Sequence, residues 1–144
     1  MVYFLSLSFL FFLIDQLSKY YITKYFALGE SVDILSILSI THVKNPGAAF
    51  SLLPYQTSFF IGITILVLAG VLFFLILTGN RDRVLLTSLA FIFGGALGNF
   101  YDRITVGQVT DFIDFHFFPV FNLADCFITI GLIIFSYQFL LKKE

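Results

Sequence analysis

The chain has 144 residues, 59% of them hydrophobic and only 12% charged, and a net charge of −1. Soluble domains carry about 25% charged residues. This composition, with a mean hydropathy of +0.99, excludes a soluble globule and predicts one integral membrane domain over 1–144. No basic stripe exists to neutralise phosphates, which excludes nucleic acid as a partner. The lone Cys126 cannot form an internal disulfide.

Four apolar stretches, each near the roughly 20 residues a bilayer demands, predict transmembrane helices at about 3–25, 58–78, 84–103 and 121–141. The first stretch lacks the basic start and small-residue cleavage site of a removable signal peptide, and is read as a retained span. The chain has 21 Phe, most of them in these stretches, and no Trp, so Tyr20, Tyr21, Tyr25, Tyr55 and Tyr101 are the candidates for an interfacial belt. Four spans leave both termini on one side. Arg81 and Arg83 link the second and third stretches, and Lys142 and Lys143 follow the fourth. The positive-inside rule makes that face cytoplasmic and puts 27–57 and 104–120 outside. Within the first outer segment, 31–37 and 39–43 partly alternate and are rich in β-branched residues, which predicts short strands ended by the turn Asn45-Pro46-Gly47. In the second, Pro119 rules out one continuous helix running into the last span.

Polar residues are costly in hydrocarbon and mark function by default, so their depth matters. At about 1.5 Å of rise per residue, Asp15 sits about two-thirds of the way across the first span. Lys19, one turn on, is expected at the outer interface. Asn99, Asp102 and Arg103 close the third span, while Asn122 and Asp125 open the fourth on a shared face. All of them gather near the outer leaflet. His42 and His116 fall in outer segments and are read as solvated; with Asp114 they do not make a zinc-type spacing. Paired carboxylates remain. Two acids sharing a site do not both ionise cheaply, so one keeps a proton while the other accepts one, as a water-activating protease needs. Asp111 and Asp125 are the best candidates, because the chain breaks at Pro119 and can fold back between them. Asp114 lies one helical turn from Asp111 and is read as a solvated or lid residue.

Several blocks then carry a resemblance. They are Asp15-Gln16-Leu17-Ser18-Lys19, Asn45-Pro46-Gly47-Ala48-Ala49-Phe50, Gly94-Gly95-Ala96-Leu97-Gly98-Asn99-Phe100-Tyr101-Asp102-Arg103, Val109-Thr110-Asp111-Phe112 and Phe121-Asn122-Leu123-Ala124-Asp125. In this order and over essentially the whole chain, they make it similar to the lipoprotein signal peptidases (signal peptidase II), aspartic proteases of the bacterial plasma membrane. The resemblance implies an all-α polytopic membrane protein: four transmembrane helices, a small outer-face β-cradle, and a short extramembrane loop or helix near the active site. It implies removal of signal peptides from diacylglyceryl-modified prolipoproteins, before the lipidated cysteine, with no metal or organic cofactor. It makes Asp111 and Asp125 the catalytic pair, with Asp15, Lys19, Asn45, Gly47, Asn99, Arg103 and Asn122 in support. The partners it implies are prolipoproteins and membrane lipids, and the enzyme is expected to be a monomer. The stretch between the two aspartates and the tail after the last span are both short for the family.

Other readings attach to the same residues. Gly94, Gly95 and Gly98 suit close helix packing. Asp102 with Arg103 suits an interfacial charge pair, Asp15 with Lys19 an i, i+4 pair, and Asn122 a helix cap. As whole-protein alternatives, a small proton or ion transporter would need polar groups down to the cytoplasmic side. A non-enzymatic assembly or lipid-binding protein would give no reason for acids, Arg and three Asn at one depth.

Overall fold

The computed structural model describes residues 1–47, 56–79 and 82–141. Tyr55, Ala48, Ala49, Phe50, Arg81, Lys142 and Lys143, used in the sequence reading, lie outside the described residues. Seven elements follow in order: α1 (Val2–Tyr25), β1 (Ser31–Leu35), β2 (Leu38–Asn45), α2 (Thr57–Thr78), α3 (Arg83–Thr105), β3 (Val109–Asp114) and α4 (Leu123–Leu141). α1, α2 and α3 are long and apolar enough to cross a membrane; the apolar stretch in α4, Leu123–Gln138, is shorter.

α3 is the central helix, packed against α1, α4 and α2. Its sequence explains why. Gly94, Gly95 and Gly98 strip side chains from faces that neighbours then occupy at backbone distance. A Cβ on Gly94 would stand 2.5 Å from the Ser8 carbonyl of α1, and one on Gly95 would stand 2.5 Å from the Ala124 carbonyl of α4. On α4, Gly131 reciprocates against Ser88 of α3 at 2.6 Å. Where the helices do not touch so closely, Phe4, Leu75, Leu85, Leu86, Leu89, Ala90 and Ile92 form a buried apolar cluster. It lies at the end of the bundle that holds the α2–α3 link. Asp82 starts α3 by accepting from the backbone N–H groups of Val84 and Leu85 at 2.8 and 3.2 Å, the usual service of an N-cap carboxylate.

The opposite end of the bundle carries an antiparallel sheet in the order β1-β2-β3. β1 and β2 match the strands expected from alternation. β3 is an addition: two aspartates in six residues are weak strand formers, and the element exists through its long-range pairing with β2. Asn45 lies opposite Val109, which sets it diagonal to Asp111 on one face of the sheet. After Asp114 the chain turns back at once, and Phe121 bridges to Ile113. The reversal expected between Asp111 and Asp125 is therefore a loop folded onto β3.

His42 corrects the sequence reading. It is buried on β2, and its Nδ1–H donates to the Phe26 carbonyl at 2.9 Å. The backbone groups of His42 also tie Gly29 and Glu30. It fastens the α1–β1 connection to the sheet and is not a solvated loop residue.

The glycine contacts give a test. Gly95→Ala and Gly131→Ala are each expected to lower the thermal unfolding midpoint in detergent, since overpacking costs about 1–3 kcal/mol. Gly62→Ala and Gly70→Ala on α2, where a Cβ meets nothing within 4 Å, are expected to leave it unchanged or raise it. Equal losses from both pairs would remove close packing as the reason for the α3–α4 glycines.

Candidate active site

At the sheet end of the bundle, α1, α3, β2, β3 and α4 converge on one polar cluster. Its anchor is Lys19, 3% exposed. The ammonium lies 2.8 Å from Asp15 Oδ2 and 3.1 Å from Asp102 Oδ2, and donates to Asn99 Oδ1 at 2.9 Å. Lys19 is thus enclosed by protein at its helical depth. In low dielectric an ammonium needs compensation, and two carboxylates hold it between α1 and α3 more firmly than an aqueous interface would.

Asp15 does more than pair. Its Oδ1 accepts from the backbone N–H of Ala124 at 2.9 Å, in the first turn of α4, where unsatisfied N–H groups and the helix dipole both favour a carboxylate. The space it occupies exists because residue 98 is Gly: a Cβ there would collide with Asp15 Oδ2. Asp102 likewise turns away from Arg103, which corrects the reading of those two as a charge pair. Besides Lys19, it accepts from Gln16 Nε2 at 3.0 Å and from the backbone N–H of Thr110 at 3.1 Å. That last bond ties α3 to β3 one residue before Asp111. Sequence reasoning passed over Asp102 and Gln16 as site residues. The available signal was spacing, since Asp102 follows Asn99 by three residues on a helix and shares its face.

Three asparagines connect this anchor to Asp111 and Asp125. Each has its carbonyl oxygen occupied by an unambiguous donor, which leaves the NH₂ to face a carboxylate. Asn99 accepts from Lys19 and donates through Nδ2 to Asp125 Oδ1 at 2.8 Å. Asn45 accepts from the Gly47 N–H at 2.9 Å and donates to Asp111 Oδ2 at 2.9 Å. Asn122 accepts from the Asp125 N–H at 3.0 Å and donates to Asp111 Oδ1 at 2.6 Å. Its own backbone N–H donates to Asp125 Oδ2 at 3.2 Å. Asn122 is therefore the cap of α4, in a reciprocal arrangement with Asp125, and the link between the two acids.

Asp111 and Asp125 both line a cavity of about 590 Å³, with Asn45, Gly47, Asn99 and Arg103 as the other polar wall and Val109, Phe118, Pro119, Val120, Phe121, Cys126, Thr129 and Ile130 completing it. Arg103 donates to the Gly47 carbonyl at 3.3 Å and lies 5.0 Å from the centre of the Phe60 ring, so its cation faces the cavity with its position fixed. Asp114 is elsewhere. Three residues apart on a strand, it points to the opposite face from Asp111, where it accepts from Thr41 Oγ1 at 2.9 Å.

Burial pushes the Asp111 carboxyl up to about 7, and the neighbouring charge of Asp125 pushes the same way; hydrogen bonds from Asn45 and Asn122 oppose both. An acid that keeps its proton to neutral pH beside a second carboxylate can serve as proton donor while its partner accepts. The two acids titrate as a pair.

A proton relay would require polar groups continuing to the far end of the bundle. There, Ser8 donates to the Phe4 carbonyl and Ser88 to that of Leu85 within their own helices, and Tyr3 meets Thr87 across α1 and α3 at 2.9 Å.

The family model described as signal peptidase (SPase) II matches residues 7–141. A lipoprotein signal peptidase of Moorella thermoacetica is 48% identical over 144 residues, covering 96% of this chain and 93% of that protein. One from Bacillus pumilus is 38% identical over 148 residues, with 99% and 96% covered. Two bacterial membrane enzymes solved in meso superpose with TM-scores of 0.91 and 0.87 at 34% and 35% identity. They cover 98% of this chain each, and 91% and 94% of their own.

The raised Asp111 titration has a consequence for stability. A carboxyl that binds its proton more tightly when folded contributes stability fully below its unfolded value, near 3.8, and loses it as pH rises through about 7. The thermal midpoint of the native protein is expected to fall relative to that of Asp111→Asn across this interval. A constant difference between the two proteins from acid to neutral pH would contradict it.

Proposed function

Since the chain belongs to the signal peptidase II family and is a peptidase that removes signal peptides from prolipoproteins, we propose that it cuts by means of a water molecule held between Asp111 and Asp125. The observation that carries this reading is the single cavity onto which both carboxylates open, joined by Asn122. One carboxylate takes a proton from the water as its oxygen attacks the scissile carbonyl carbon. The other, protonated, supplies a proton as the C–N bond breaks and the amine leaves. Arg103 and Lys19 offset the negative charge of the pair. Asn45, Asn99 and Asn122 hold the carboxylates, and Asp15 and Gly47 hold those holders in turn.

The proposed setting is a single domain of four spans in a bacterial plasma membrane, α4 crossing as the fourth. At about 1.5 Å per residue its 19 residues reach about 28 Å, close to the roughly 30 Å hydrocarbon core. Both termini are cytoplasmic and the sheet forms a cradle at the outer leaflet, in a monomer. The cavity is mostly apolar beyond its polar wall. A diacylglyceryl-modified substrate then keeps its acyl chains among lipids while its peptide bond, just before the modified cysteine, reaches the acids.

Purified protein acting on a diacylated prolipoprotein tests this reading. Asp111→Asn and Asp125→Asn are each expected to abolish signal-peptide release without loss of membrane insertion, whereas Asp114→Asn keeps substantial activity. An active Asp111→Asn with a dead Asp114→Asn would move the chemistry to the other face of β3. Substrate lacking the diacylglyceryl group is expected to be cut far more slowly, because the chains contribute about 0.8 kcal/mol per buried methylene. Equal rates on both substrates in matched detergent would take the lipid out of recognition.

A further inference from the structure

Part of the cavity wall beside Asp111 is made by the loop between β3 and α4, and that loop begins with a strained turn. His116 has φ 63, the only positive φ at a non-glycine among the described residues. The Phe117 N–H bonds back to the Phe115 carbonyl at 2.7 Å. A positive-φ centre spanned by such an i to i+2 bond is a γ-turn of the rare, strained kind, and it persists only where surrounding contacts over-determine it. Two contacts do so. The His116 N–H donates to Asp114 Oδ1 at 2.8 Å. The ring reaches across to the sheet, where Nε2 lies 2.6 Å from Ser39 Oγ. Ser39 is fully buried and its hydroxyl donates to Asp33 Oδ1 at 2.7 Å. A serine has one hydroxyl proton, so Nε2 is the donor in the bond to Ser39.

On the assignment of the site made above, we infer that His116, Ser39 and Asp33 form a latch that sets the aperture of the substrate cavity, making His116 a positioning residue for substrate. The connection is direct. The turn at His116 reverses the chain so that Phe121 bridges to Ile113 beside Asp111, and Phe118, Pro119, Val120 and Phe121 become cavity wall. Phe115 stacks on Phe121 and Phe118 meets it edge-on, both with centroids 5.9 Å apart, so the wall moves as a unit. The His116–Ser39 bond ties the start of this wall to β2 through a side chain, while the backbone of Phe121 pairs its far end with Phe112 and Ile113. Releasing that bond frees the strained turn to relax and lets the stretch between it and the paired Phe121 shift.

The test uses three variants of the full-length protein. His116→Gly tolerates positive φ but has no ring. Ser39→Ala removes the middle of the relay and leaves the turn residue intact. Asp33→Ala removes the acceptor that orients the Ser39 hydroxyl. His116→Gly and Ser39→Ala are expected to raise KM for a diacylated prolipoprotein about three- to tenfold with kcat within twofold, and the double variant to be no worse than either alone. Asp33→Ala is expected to raise KM in the same direction. Cys126, the chain's only cysteine, lines the same cavity and reports the aperture without catalysis. Its rate of maleimide labelling is expected to rise severalfold in both latch variants. Unchanged KM and unchanged labelling, a fall in kcat alone, or additive effects in the double variant would each overturn the latch. Asp125→Asn in the same assays separates the two readings. Its failure to abolish cleavage would count against the proposed dyad, while labelling of Cys126 would still decide the latch.

Discussion

A single buried ammonium organises this end of the molecule. Lys19 is enclosed by protein and must be compensated there, and its two carboxylate partners belong to different helices. Removing one partner of a buried pair typically costs 3–5 kcal/mol, so α1 and α3 are locked in rotation and depth at this level. Everything nearer the cavity is registered against that lock. Asp102 carries it to β3 through the Thr110 N–H, Asn99 carries it to Asp125, and Asp15 carries it to the start of α4.

The asparagines translate position into orientation. A carboxamide is nearly symmetric in shape and can present either a donor or an acceptor. Here each oxygen is claimed by an N–H donor that cannot reverse: an ammonium for Asn99, backbone amides for Asn45 and Asn122. The two acids therefore receive hydrogen bonds from neutral amides, while the charges of Lys19 and Arg103 act on them from farther away. Such an environment holds carboxylates in place while leaving Asp111 able to keep its proton to about neutral pH. A direct lysine or arginine contact would favour the ionised form and weaken the capacity to donate.

Much of this was legible in the sequence because membrane burial simplifies it. Apolar length gave the helices, and rise per residue placed the polar groups at one depth before any contact was known. Alternation gave β1 and β2, and Pro119 gave the reversal between Asp111 and Asp125. What escaped depends on partners far along the chain. β3 exists by pairing with β2 some 66 residues away, as the Asn45–Asp111 bond measures. Lys19 looked interfacial because helical rise gives depth but not enclosure, and enclosure came from Asp102 on another helix. His42 looked solvated because a strand residue's neighbours cannot be read from its own segment. Asp114, read as a solvated or lid residue one helical turn from Asp111, lies on a strand instead and faces Thr41.

The order of elements gives the Asp15–Lys19 pair a second role during synthesis. Both residues lie on α1, four apart, so each charge has its partner on the first helix to emerge. Asp102 and Asn99 arrive only with α3, and the Ala124 N–H only with α4, 109 residues after Asp15. A solitary lysine on α1 would have to wait, uncompensated, for more than half the chain to be made. The internal pair lets the first helix enter lipid nearly neutral, and later helices then recruit the same charges for assembly. The cluster at the finished site thus contains a charge pair already balanced within the first helix to be made.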